Sequence, residues 1–199
     1  MNRPPLILAS ASPRREELLR QIRSDFRVVV SHVTEVQGDH VTPWELVRIN
    51  AYRKARAVAR EFPDSLVIGA DTVVCLENRI FGKPLDLEDA SRMLQELEGQ
   101  THEVITGVCL VHLREHRQKV FADSTSVRFR PLTSGQIRNY LSQINPLDKA
   151  GGYAIQEHGD ALVETISGSL SNVVGLPLEM LRTELSPWDW DASRSGGSA

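Results

Sequence analysis

The chain has 199 residues, 41% of them hydrophobic and 25% charged, with a net charge of −3 and an isoelectric point near 6.1. That length suits one domain, or two lobes sharing a cleft, with room for a sizeable core. The mild acidity argues against bulk binding to nucleic acid or an anionic membrane, so any anion site must be local, and no window approaches a membrane span.

In chain order, "PLILAS" (5–10) predicts a buried strand. A helix then opens at Ser12-Pro13, with Ser12 as N-cap and Pro13 in the first helical position. "FRVVVS" (26–31) predicts a second strand, and Thr42-Pro43-Trp44-Glu45 is a capping box opening a long helix to about Phe62. "SLVIGADTVVCL" (65–76) is an apolar run interrupted by Asp71 and reads as strand, turn, strand. Asp86 caps a helix over Leu87–Glu98 that Gly99 stops. "THEVITGVCLVHL" and "QKVFADSTSVRFR" flank a charged turn, which predicts a hairpin. Thr133-Ser134-Gly135-Gln136 is a second capping box, for a helix ending before Pro146. A glycine-containing loop, two short strands and a last helix after "NVVGLP" complete the chain. Strands and helices intermix without a strict βαβ repeat, so the expected fold is α/β, a mixed sheet flanked by helices. Residues 1–187 are expected to form one domain and the small, polar residues 188–199 a flexible tail. The N-terminus lacks a long apolar signal core and only Cys75 and Cys109 occur, each in an apolar run. Both thiols are read as buried, and a cytoplasmic location is expected.

Neither common Gly-rich phosphate cradle is present. The start of the first helix offers another: free N–H groups, the hydroxyls of Ser10 and Ser12, and the guanidinium groups of Arg14 and Arg15. The alternative is a solvated, basic helix face. Asp71 is either a carboxylate presented at a strand end, where α/β folds gather ligands, or a turn former. Glu35 could join it in holding a hard cation, while Lys54 and Lys83 read as surface lysines or cleft cations. "PLDKAGGYAIQ" (146–156) surrounds Gly151-Gly152 with Asp148, Lys149, Tyr153 and Gln156; it is either a base-reading loop or an ordinary glycine turn.

The stretches "LASASPRREELL", "GADTVV", "GKPLD", "EGQTHEVITGV", "LDKAGGYAIQ" and "NVVGLP", in this order, resemble the Maf family of nucleoside triphosphate pyrophosphatases, related in fold to Ham1-type inosine triphosphatases. The resemblance implies two lobes around a central cleft, frequently a homodimer, and nucleotide diphosphatase activity releasing pyrophosphate and a nucleoside monophosphate. It places Asp71 as catalytic base with Lys54 and Lys83 beside it, Glu35 and Asp71 as ligands of Mg2+ or Mn2+, and Ser10, Arg14, Arg15, Thr72 and Gln156 against the substrate. Arg14, Thr72 and Gln156 match the branch acting on dTTP and UTP, with modified pyrimidine nucleotides as further candidates. The rival readings are a 7-methyl-GTP pyrophosphatase and a nucleotide-binding regulator of septum formation with little turnover. Three positions depart from the family pattern: Glu157 stands where glycine commonly follows the glutamine, Leu170 replaces an aromatic residue, and Thr34 precedes Glu35 where a second acid is common. Glu157 would put negative charge beside the base-reading Gln156.

Overall fold

The apolar run around Asp71 is one uninterrupted strand, β3 (Leu66–Leu76), in a computed structural model that describes residues 4–36, 40–77 and 79–188. The turn expected at Asp71 is absent because β5 (Thr101–His112) pairs antiparallel along nearly all of β3, with Asp71 opposite Gly107 and Thr72 opposite Thr106. Asp71 therefore sits in mid-strand rather than at a strand end.

Around this pair the sheet adds β1 (Leu6–Leu8), β2 (Phe26–Val28), β4 (Arg79–Phe81), β6 (Arg117–Phe129) and β7 (Val163–Ser167). The order is β2-β1-β3-β5-β6-β7, with β4 also on β3. β1 runs parallel to β2 and β3, and the other pairings are antiparallel, so the sheet is mixed as expected. The helices are α1 (Pro13–Arg20), α2 (Pro43–Glu61), α3 (Leu87–Leu97), α4 (Ser134–Leu141), α5 (Leu170–Val174) and α6 (Leu178–Leu185).

Local signals set most helix starts. Thr42 accepts from the Glu45 N–H while Glu45 accepts from the Thr42 N–H, and Thr133 and Gln136 repeat this reciprocal pair. Asp86 accepts from the Asp89 N–H. Ser12 stands at the start of α1 but makes no side-chain cap bond; its own N–H donates to Ser10 Oγ at 3.2 Å. β2 stops at Val28. Among the described residues beyond Pro146 one strand forms instead of two; the stretch before it holds short 3-10 turns at Pro146–Asp148, Ala150–Gly152 and Gly159–Ala161. Gly151 and Gly152 lie at φ +70° and +73°, where an extended strand cannot continue. "LSNVV" adds a helix not expected from the sequence, α5, capped by Ser169. Trp188, placed at the head of the tail by the sequence, is buried in the core; the rest of that tail lies outside the described residues.

Successive side chains on β3 point to opposite faces, and this divides the interior. Leu66, Ile68 and Ala70 pack with Leu19 of α1 and Leu181 of α6, whereas Val74 packs with Leu94 of α3 and Tyr140 of α4. These are the cores of two lobes on one face, and Thr72 lies between them. The other face carries Val67, Gly69, Asp71, Val73 and Cys75 under α2. A methyl on Gly69 would stand 2.3 Å from the Ala51 carbonyl oxygen, and one on Gly107 would stand 2.5 Å from that of Val47, so only glycine lets α2 lie this close.

On the edge opposite β5, β1 pairs β3 only over Leu66–Ile68 and β4 only over Val74–Leu76. Residues 69–73 have no strand on that edge among the described residues. Through this gap both faces of β3 open onto one cleft.

Candidate active site

The cleft has a volume of about 1220 Å3, and every residue expected at the site lines it. Ser10 follows β1, Arg14 and Arg15 come from the first turn of α1, Lys54 from α2, and Asp71 and Thr72 from β3. Glu35 lies in the segment before α2, Lys83 in the exposed loop after β4, and Gln156 in an exposed turn after Gly151-Gly152.

Asp71 is the centre of the α2 side and is 6% exposed. Lys54 Nζ lies 2.7 Å from Asp71 Oδ1 and 2.7 Å from Glu35 Oε1, bridging the two carboxylates. It also donates to the Ala70 carbonyl at 3.5 Å. Asn50, one helical turn before Lys54, donates to Asp71 Oδ2 at 3.1 Å. Burial pushes the Glu35 carboxyl up, but the hydrogen bond and charge of Lys54, helped by Lys83 and Arg15, outweigh it and hold Glu35 below the usual carboxylate range.

On the other face Arg15 is half-buried. Its Nε donates to the Gly175 carbonyl at 2.8 Å, Nη2 to Thr72 Oγ1 at 2.9 Å, and Nη1 to Ser10 Oγ at 3.4 Å. Thr106 donates to the Asn172 carbonyl, so Thr72 is the donor in the 3.0 Å Thr72–Thr106 contact. Burial pulls the Arg15 guanidinium below its ordinary value, and the charges of Asp71 and Glu35 oppose that shift.

Arg14 reaches across the cleft instead, with Nη1 3.0 Å from Asp148 Oδ2 and Nη2 3.3 Å from the Asp148 carbonyl oxygen. Lys149, 5% exposed, binds Asp148 Oδ1 at 2.9 Å, the Asn145 carbonyl at 2.7 Å and Glu157 Oε1 at 3.2 Å. The charge that Glu157 brings next to Gln156 is therefore countered by a buried lysine. Tyr153 also lines the cleft; its hydroxyl meets His102 Nε2 at 2.8 Å, and its ring packs edge-on against His102 and Phe129.

Cys75 and Cys109 are free and buried, and burial pushes the Cys109 thiol up to about 12, which makes it a poor nucleophile. Among the described residues no group of three or more His, Cys, Asp or Glu is arranged to hold a metal ion. No described helix is long and apolar enough to cross a membrane. Sequence reasoning missed Asn50 and did not foresee that Asp148 would hold Arg14. The available signal for Asn50 was a polar residue four before Lys54, beside the stripe Val47, Ala51, Ala55, Val58.

The chain as a whole has relatives among known proteins. Residues 5–188 match the family described as Maf-like protein. A Gloeobacter violaceus protein named dTTP/UTP pyrophosphatase is 50% identical, over 92% of this chain and 96% of its own. One of the same name from Bacillus cytotoxicus is 46% identical, over 95% and 98%. The solved structure of the Staphylococcus aureus Ham1 protein aligns with a TM-score of 0.54 and 17% identity, over 92% of this chain and 98% of that one, a likeness of fold alone. With a family match from end to end of the described fold and relatives this similar over nearly their full length, the chain belongs to the Maf-like protein family.

Proposed function

We propose that the protein is a nucleoside triphosphate pyrophosphatase that hydrolyses dTTP and UTP to the nucleoside monophosphate and pyrophosphate, with modified pyrimidine nucleotides as further substrates. The observation that carries this reading is the placement of Asp71 at the gap in the sheet, paired with Lys54, in a cleft of nucleotide size that Arg14 and Arg15 also line. The names of the relatives supply the substrate class.

In the proposed reaction Asp71 accepts a proton from water, and the oxygen attacks the α-phosphorus. The bond from that phosphorus to the bridging oxygen breaks, and pyrophosphate leaves. Arg14, Arg15, Lys54 and Lys83 neutralise the charge gathering on the leaving group. Lys54 is poised for this because two carboxylates already place it in the cleft. Gln156 and the Gly151-Gly152 loop would read the base, since a carboxamide both donates and accepts. The donor set would suit a hard divalent cation, Mg2+ or Mn2+, only jointly with substrate: the carboxylates of Glu35 and Asp71 would hold it, with oxygens from outside the protein needed besides. Such an ion, when bound, supplies neutralisation of phosphate charge.

Pyrophosphate release from a nucleotide panel, with Mg2+, with Mn2+ and with chelator, tests the reading. Fastest release from dTTP and UTP, lost on chelation, is the expected result. Binding without release makes the protein a nucleotide-binding regulator, and fastest release from 7-methyl-GTP moves the substrate class.

A further inference from the structure

Asn50 lies in the middle of α2, 3% exposed, under the strands that carry the site. A buried carboxamide is costly unless its donors and acceptor are satisfied. Here the side chain's bonds among the described residues run to the site: Oδ1 accepts the Val36 N–H at 2.8 Å, and Nδ2 donates to the Val36 carbonyl at 3.2 Å and to Asp71 Oδ2 at 3.1 Å. A backbone N–H can only donate, so Val36 decides which end of the carboxamide is oxygen, and the end meeting Asp71 is the amide nitrogen. One side chain thereby joins two separate segments, the one carrying Glu35 and the strand carrying Asp71.

The two oxygens of Asp71 are held by different kinds of group. Lys54 takes Oδ1, but Lys54 is a cation in the cleft wall that an incoming triphosphate attracts. Asn50 takes Oδ2, is neutral, and is fastened to backbone at its other end. When Lys54 turns to phosphate, Oδ2 stays held and Oδ1 is the oxygen left open to water.

We infer that Asn50 is a positioning residue for hydrolysis. It fixes the Asp71 carboxylate with Oδ1 toward the reacting water, and through Val36 it keeps Glu35 within reach of Lys54. This rests on the reading of Asp71 as the base of a pyrophosphatase. An apolar residue of the same size would fill the space but leave the Val36 amide and Asp71 Oδ2 without their partner.

The test compares wild type, Asn50→Leu and Asn50→Asp, each first checked for cooperative thermal unfolding. Two measurements follow: kcat and KM for dTTP and UTP by pyrophosphate release, and hydrogen exchange at the Val36 amide. Asn50→Leu is expected to lower kcat roughly 10- to 100-fold with KM within about threefold, and to lose protection at Val36. Asn50→Asp keeps an acceptor for the Val36 N–H but no donor for Asp71, so protection stays while kcat falls at least as far. An unchanged kcat in either folded variant overturns the inference, as does a rise in KM with kcat kept. If wild type releases no pyrophosphate, the underlying reading of the site fails on its own account. Val36 exchange then still reads the tie, and unchanged protection in Asn50→Leu overturns it.

Discussion

Arg14 and Asp148 are 134 residues apart in sequence and meet across the cleft at 3.0 Å, joining the first turn of α1 to the loop that leads to Gln156. Arg15, the next residue, is anchored on the opposite wall by Gly175 and Thr72. Adjacent arginines thus serve different ends of one cleft.

From this division, Arg14→Ala is expected to change the order of preference among nucleotides as well as the rate. Arg15→Ala is expected to lower kcat/KM for all of them by a similar factor, on the order of 10- to 100-fold for a charged hydrogen-bonding group. Steady-state kinetics on a panel of four nucleotides checks it. Identical selectivity profiles in the two variants would refute the division.

Asp71→Asn keeps the shape of the side chain and removes its basicity. Turnover is expected to fall at least about 100-fold, the lower end of what a positioned general base contributes. Lys54 retains Glu35 as a partner in this variant, so thermal unfolding should move little. Near wild-type turnover in purified, folded protein would show that another group takes the proton.

Gly107→Ala drives a methyl into the Val47 backbone at 2.5 Å, and backbone cannot swing aside as a flexible side chain can. A loss of stability of about 2 kcal/mol or more is expected from this overpacking. Because Asn50 and Lys54 ride on α2, kcat should fall with it. Gly135→Ala, in the first turn of α4 with only Thr133 Oγ1 at 3.8 Å, is the control and should leave both unchanged or raise stability slightly. Equal urea midpoints for the two variants would contradict the close approach of α2.

His102 is 1% exposed, with Nδ1 lacking a hydrogen-bond partner among the described residues, and burial holds its pKa down to about 4 against the usual 6.5. The unfolded chain takes up a proton below about pH 6.5 while the folded chain resists until about pH 4. Stability is therefore whole above pH 6.5 and declines as pH falls toward 4, by about 3 kcal/mol from this group. Urea unfolding at pH 7.5 and pH 4.5, in wild type and in His102→Phe, checks it. The drop should shrink in the variant, and an equal drop in both would place the acid sensitivity elsewhere.

What could be read from sequence follows the range of the forces involved. The capping pairs Thr42–Glu45 and Thr133–Gln136 form within one turn, so a local reading finds them. The strand through Asp71 depends on pairing with Gly107, thirty-odd positions later, and an aspartate after Gly-Ala looks locally like a turn. The loop around Gly151-Gly152 is legible as a loop, whereas one of the two strands expected after it does not form, the chain turning again at Gly159–Ala161 before β7. The chemistry-bearing residues were legible as types in a family-like order, and the cleft gathers all of them. Asn50 was not, because a mid-helix asparagine reads as solvent-facing; the glycines on neighbouring strands are what bury it.

The alternation along β3 has a consequence for quality control. Asp71 and Thr72 face opposite sides, one toward Lys54 and one toward Arg15, and each is matched across to a specific residue of β5. Sliding β3 by a single position would turn the carboxylate to the face of Arg15 and the hydroxyl to the face of α2, and would replace Gly69 beneath α2 with a bulkier neighbour. Mispaired molecules are thus silent rather than careless: a chain that hydrolyses nucleotide has, by that fact, proofread its own sheet.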